Sequence, residues 1–319
     1  MTTFNGKLNM KRRLFISGSA AAALALVGCG GGGGGGDGAS SGGTGSAALD
    51  ATATGVSVAS AGGSSFPAKV LGCYFTAYDT QGYRITDVPT DFNVIYLFQA
   101  KPNGDGSFRF ENYADVPVAD IQACRARGQK VLLTVGGAGQ GFNFANRTQS
   151  QNFVNSFKVM HDNLGGVDGC DFNNFEANIG SSATEMIWIA QQLKAMFGAD
   201  FAITAPPQPN SPDDRAMLKA MHDAGVLTWA APQYYDWSGF NADGFIATRT
   251  NDWIADIGEE QVVIGLSANY SNGPSLQDCI REYNAIKAAH PNIRGAFCWN
   301  AQLNLQGGNT WGSTMRGIL

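Results

Sequence analysis

The stretch GVDGCDFNNFEANIG, Gly166 to Gly180, gathers three carboxylates and two neighbouring amides: Asp168, Asp171, Asn173, Asn174 and Glu176. A carboxylic acid in a partly dry cleft can give its proton to a leaving oxygen, and an adjacent carboxylate or amide can orient the reacting group. Related residue types recur at the ends of other apolar runs. Tyr74 and Tyr78 stand toward the end of the first, Gln99 toward the end of the second, and the pair Gly136-Gly137 ends the third. Gln208 lies just past the fifth, and Gln233, Tyr234, Tyr235 and Asp236 end the sixth. Asn269 and Tyr270 come after the seventh, and Trp299, Asn300, Gln302 and Asn304 after the eighth. This set holds acids, amides and aromatics, with no Lys, His or Cys nucleophile pair. Aromatic faces suit sugar rings, amides suit hydroxyls, and an acid among them suits a glycosidic oxygen. The histidines, His161, His222 and His290, lie in helix-like or loop contexts, so neither a metal nor a cofactor is expected.

Eight short apolar runs must position these groups: 68–78, 92–100, 130–137, 166–176, 201–207, 226–235, 261–269 and 293–300. Between them lie amphipathic segments, clearest at 150–164 and 182–198, with apolar residues three and four apart. The second of these stops at Gly198. Strands alternating with helices predict a parallel sheet, and continuous apolar strands predict that both its faces are covered. Eight such units predict one (β/α)₈ TIM barrel over residues 66–319. CYFTAYDTQG, after the first strand, is no dinucleotide-binding glycine loop. In a barrel the functional groups belong at the C-terminal ends of the strands.

The chain before the barrel reads differently. MKRRLFISGSAAAALALVGC has a basic start at Lys11, Arg12 and Arg13, an apolar run from Ala20 to Val27, and Cys29 at its end. It is too short to span a membrane and is expected to be a signal peptide over 1–29. The Arg12-Arg13 pair fits twin-arginine export. The ending Leu26 to Cys29 resembles the box at which bacterial lipoproteins are cleaved, which implies lipidation of Cys29. Residues 30–65, nearly all Gly, Ser, Ala and Thr, are expected to be a disordered tether. The expected product is exported and anchored by lipid, periplasmic or at the cell surface. Lys7, Lys11, Arg12, Arg13, Asp37 and Asp50 precede residue 66, so the barrel segment keeps 17 basic and 24 acidic residues, net −7. That excludes the basic footprint of a nucleic-acid binder and suits a neutral substrate; a monomer is expected. Cys73, Cys124, Cys170, Cys279 and Cys298 form no dense framework and are expected to be buried free thiols, with one disulfide the alternative.

The ordered set of motifs resembles glycoside hydrolase family 18, the chitinases and endo-β-N-acetylglucosaminidases. YFTAY (74–78), KVLLTVGG (130–137), VDGCDFNNFE (167–176), ITAPPQ (203–208), APQYYDW (231–237) and GAFCWN (295–300) carry the resemblance. It implies cleavage of β-1,4 linkages in N-acetylglucosamine polymers with the sugar's own acetamide as nucleophile. By motif, Glu176 would be the acid, Tyr235 the donor to the acetyl oxygen, Gln233 its neighbour, and Trp299 the floor under the sugar. Tyr74, Gln208 and Asp236 would complete the binding site. The sixth- and eighth-strand ends resemble bacterial chitinases, which implies chitin oligosaccharides as substrate.

The fourth strand departs from the family signature DGxDxDxE. Alternate residues of a strand share a face. Here the alternate positions are Asp171, Asn173 and Phe175, and the acid stands one residue late at Glu176. Either a bulge near Asn173 and Asn174 returns Glu176 to the inner face, or the strand stays regular and Phe175 occupies the acid's place. The first reading makes a hydrolase with Asn173 or Asn174 in place of an aspartate and Asp171 as a more distant charge. The second makes a glycan-binding barrel of the same fold.

Overall fold

The computed structural model describes residues 66–173, 181–236, 239–240 and 242–319. The signal and tether segments, Cys29, Asn174, Phe175 and Glu176 therefore lie outside the described residues.

Eight parallel strands run in the order the apolar runs predict. β1 (Val70–Thr76) lies between β2 (Val94–Pro102) and β9 (Gly295–Trp299). β2 continues to β4 (Lys130–Gly136), then β5 (Gly169–Asn173), β6 (Ala202–Ala205) and β7 (Trp229–Ala230). β8 (Val263–Ser267) pairs with β9 on the other side. Single bridges, Ala230 to Val262 and Gln233 to Gly265, join the β7 and β8 edges and bring the sheet round to a barrel. The added element is β3 (Phe108–Arg109), antiparallel to the end of β2. Two residues are too few to leave a periodic trace in the sequence.

The helices are α1 (Val118–Ala126), α2 (Arg147–Asn163), α3 (Ala183–Phe197), α4 (Pro212–Asp223), α5 (Phe245–Ile257), α6 (Leu276–Ala289), α7 (Ala301–Gln306) and α8 (Thr310–Ile318). α2 and α3 match the two amphipathic segments. Asn146 caps α2 by accepting from the Gln149 amide, and Gly198 ends α3 at φ 107°. No described helix is long and apolar enough to cross a membrane.

Two apolar clusters follow from the alternation of each strand. Residues such as Leu71, Cys73, Leu133, Cys170 and Phe172 point outward under the helices. Val70, Tyr74, Tyr96, Leu132, Trp229 and Phe297 fill the barrel interior. Glycines make room for the large inner rings: a Cβ on Gly72 would lie 2.7 Å from the Tyr96 ring, and one on Gly265 would lie 2.7 Å from Phe297. All five described cysteines are buried and free, as the sequence suggests.

Candidate functional site

β5 brings the first functional group inward. Its register with β4 is unbroken from Gly169 to Asn173, so Gly169, Asp171 and Asn173 share the interior face while Cys170 and Phe172 face the helices. Asp171 is fully buried and accepts three hydroxyl hydrogen bonds, from Thr204 at 2.7 Å, Tyr74 at 2.8 Å and Thr134 at 3.0 Å. Burial raises its pKa to about 6, against the three hydroxyls, which pull it down. The carboxylate thus titrates close to neutrality. Burial and the Asp171 charge in turn push the Tyr74 phenol well above its usual range, so it stays a donor. Asn173 is the last residue of β5 and is almost completely buried.

Aromatic rings join this buried acid to the mouth. Tyr74 stacks on Tyr96 at 4.8 Å and lies 5.6 Å from the Trp299 ring. Trp299 also meets Phe98 edge-on at 5.1 Å and stacks near Tyr235 at 6.3 Å and 25°. The Tyr235 hydroxyl donates to Gln233 Oε1, and Gln233 Nε2 donates to Pro206 O at 2.7 Å. Asp236 has left-handed backbone (φ 61°) and accepts from Tyr270 Oη at 2.8 Å and Asn272 Nδ2 at 2.6 Å. Tyr78 is half exposed and its ring lies 6.1 Å from Phe98.

The paired glycines after β4 serve close approach. Gly137 has φ 114°, and a Cβ there would lie 2.4 Å from Phe98 and 2.7 Å from Gln99 Nε2. Gln99 donates its side-chain amide to Gly136 O, so the ends of β2 and β4 lock together.

Six sequence-predicted residues are thus tied into one constellation: Asp171, Tyr74, Trp299, Tyr235, Gln233 and Asp236. Asn173 stands one inward step beyond Asp171 on the same strand face. Gln208 follows β6, and its backbone amide donates to Asp214 Oδ2 at 3.3 Å. Burial raises the Asp214 pKa to about 6 as well. Glu176 and Asn174 lie outside the described residues. Asp168 does not belong to the rim. It precedes β5, at the opposite end of the barrel, where it accepts from Arg125 at 3.2 Å and the Val131 amide at 2.9 Å. Gln302 and Asn304 are framework residues. Gln302 bonds both the Thr76 amide and carbonyl, and Asn304 joins Asn309 to the Gly312 amide. Thr134 and Thr204 were not singled out from sequence; a lone hydroxyl at an inward position of an apolar strand was the available signal. Two surface cavities, of about 470 and 510 Å³, open beside α5 and beside the β2–β3 turn, and neither is lined by Asp171, Tyr235 or Trp299.

The 30% identical "Endochitinase 3" of Metarhizium robertsii aligns over 220 residues, 60% of this chain and 66% of that protein. "Chitinase Chi52" of Paenibacillus xylanexedens is 30% identical over 177 residues, 48% of this chain and 34% of its own length. The chain therefore spans just under two thirds of the first relative and about a third of the second. Among solved structures, a family GH18 chitinase from Chromobacterium violaceum superposes with a TM-score of 0.67 at 19% identity, over 79% of this chain and 83% of that one. That likeness confirms the barrel. The model of "Glycosyl hydrolases family 18" matches residues 70–302, from the first residue of β1 into α7, and so takes in every strand that builds the mouth. With inward Asp171 and Trp299 on those strands and Tyr235 just past β7, the chain belongs to glycosyl hydrolase family 18.

Proposed function

We propose that this protein is a glycosidase that hydrolyses β-1,4 linkages between N-acetylglucosamine units, with chitin oligosaccharides as substrate. The observation that carries the reading is the run from buried Asp171 through Tyr74 and Trp299 to Tyr235, at the barrel mouth of a family 18 chain. Trp299 offers a flat apolar face for the sugar ring. The Tyr235 hydroxyl, now held by Gln233, would turn its proton to the acetamide oxygen of the bound sugar. That oxygen would then attack the anomeric carbon as the glycosidic oxygen takes a proton and its bond to that carbon breaks. Water would open the cyclic intermediate to release the sugar and return the proton. Glu176 is the proposed proton donor on sequence grounds.

Positive charge develops on the acetamide during this attack. Asn173 can orient the amide by hydrogen bonding but brings no charge. Asp171, ionised above about pH 6, supplies the negative field from beneath. We also propose export through the segment 1–29 and anchoring through a lipid on Cys29, because a basic start, an apolar run and a terminal Cys stand in that order.

The test is incubation of the purified protein with N-acetylglucosamine oligosaccharides, with product lengths measured beside Glu176→Gln. Shorter oligosaccharides from the parent and none from the variant are expected. Binding without cleavage by the parent would overturn the hydrolase reading. For the anchor, Cys29→Ser should release the protein from the membrane fraction, and unchanged partition would refute lipidation.

A further inference from the structure

Tyr235 and Asp236 lie in the connection after β7, but residues 268–273, the segment after β8, hold them in place. Asp236 adopts left-handed backbone, an uncommon state for a residue other than glycine. Three hydrogen bonds from this one segment keep it there. The Asp236 amide donates to Asn272 O at 2.8 Å, and its Oδ1 accepts from both Tyr270 Oη and Asn272 Nδ2. The Tyr270 ring meets Tyr235 edge-on at 6.3 Å and 89°.

The segment lies flush on the barrel. A Cβ on Gly273 would sit 1.9 Å from Ser267 Oγ and 3.4 Å from the Tyr235 Cβ, so only glycine lets it approach so closely. The Gly273 amide closes the turn onto Tyr270 O at 3.2 Å. The far end of the β7–α5 connection is also fastened to the chain after β8. The Glu282 carboxylate of α6 accepts from the Gly244 amide at 2.9 Å and the Ala247 amide at 3.1 Å. Asp236 and the far end of this connection are therefore both set by the β8–α6 region.

We propose that Tyr270 and Asn272 are positioning residues for glycoside cleavage, acting on the sugar through Asp236 and, through its backbone, on the Tyr235 hydroxyl. The proposal rests on the glycosidase reading above. An exposed aspartate freed of these donors would relax toward right-handed backbone and rotate the peptide that joins it to Tyr235. A reacting group displaced in this way loses rate without any loss of fold.

The experiment is a double-mutant cycle on N-acetylglucosamine oligosaccharides. Tyr270→Phe and Asn272→Ala are each made in the parent and in Asp236→Ala, with kcat, KM and melting temperature recorded. In the parent each should lower kcat/KM by about tenfold, mainly through kcat, with little change in melting temperature. In the Asp236→Ala background the same substitutions should change kcat/KM by less than about twofold. Gly273→Ala, which removes no hydrogen-bonding group, should act in the same direction by lifting the segment. Effects that multiply undiminished in Asp236→Ala, or single variants within about twofold of the parent, would overturn the proposal. If the parent binds the oligosaccharides without cleaving them, the cycle is read as dissociation constants by tryptophan fluorescence, and the same coupling decides the positioning of the site. A parent that neither cleaves nor binds them removes the glycosidase reading and this inference together, whereas cleavage without coupling removes only the inference.

Discussion

Asp171→Asn changes one atom and removes the only titrating group of the cluster made by Asp171, Tyr74, Thr134 and Thr204 near neutral pH. The side chain keeps its shape, and the hydroxyls can accept as well as donate, so the hydrogen bonds can rearrange. In the parent, burial lifts the carboxyl from 3.8 to about 6. Between those values the folded state holds a proton that the unfolded chain has released. Stability from this group is therefore fully present below about pH 4 and is lost as pH rises through about 6. A shift of about two units corresponds to about 3 kcal/mol. For a domain of this size that is about 6–12 °C in melting temperature. The assay is thermal melting of parent and Asp171→Asn at intervals from pH 4 to pH 8. The difference, parent minus variant, should fall by that amount across the range and level off above pH 7. Asp214 is also raised to about 6, but it is present in both proteins and cancels in the difference. The activity of the variant on oligosaccharides should drop by about 10–20-fold at neutral pH, as a charge about 10 Å from the developing cation is removed. Melting curves that run parallel across the whole pH range would refute the buried, near-neutral carboxylate on which this reasoning stands.

Gln302→Ala should cost about 2–3 kcal/mol in urea unfolding, because it strands both backbone groups of Thr76 in a buried setting. Gly137→Ala meets a forbidden φ and a contact with Phe98, and should cost about 3 kcal/mol or more, read as loss of soluble folded protein or a lowered melting temperature. Cys73, Cys124, Cys170, Cys279 and Cys298 should stay unlabelled by a thiol reagent in the native protein and all react once it is unfolded, as mapped by mass spectrometry of the digested chain.

Strand positions were legible because both faces of each barrel strand are buried, which writes each as an apolar run. Strand lengths were less so. The runs 201–207 and 226–235 shorten to β6 and β7, four and two residues long. Pro206, Pro207 and Pro232 lie in these runs and have no amide for a ladder. Pairing resumes only at Gln233, and that bridge helps close the barrel. The inward direction of Asp171 followed from alternation along one strand. Its partners Thr134 and Thr204 come from β4 and β6, and finding them required the register between strands. Gln302 shows a different limit. A polar residue that bonds to backbone has the same identity in a sequence as one that faces a ligand. Asp168 shows where a strand boundary decides a role. Because β5 begins at Gly169, its carboxylate serves Arg125 and Val131 at the barrel base.

The unbroken register of β5 sharpens what its altered motif costs. Asn173 occupies an inward position where the family pattern has an aspartate, and among the described residues the nearest carboxylate on that strand face, Asp171, is two residues deeper, about 6.6 Å along the strand. With an effective dielectric of about 20, a unit charge about 4 Å from a developing cation is worth about 4 kcal/mol, and about 10 Å away under 2 kcal/mol. The difference of about 2.5 kcal/mol corresponds to a rate factor of about 60. Asn173→Asp should therefore raise kcat on N-acetylglucosamine oligosaccharides by one to two orders of magnitude. The gain has a counterpart in stability, since a second buried carboxylate beside Asp171 disfavours the charge of each and pushes the pair's titration upward. The variant should melt lower than the parent above pH 6, and its activity should reach a plateau at higher pH. An Asn173→Asp protein no faster than its parent at any pH from 5 to 9 would show that charge at this position does not limit the reaction. The asparagine would then be sufficient for the amide, with Asp171 providing all the field the chemistry uses.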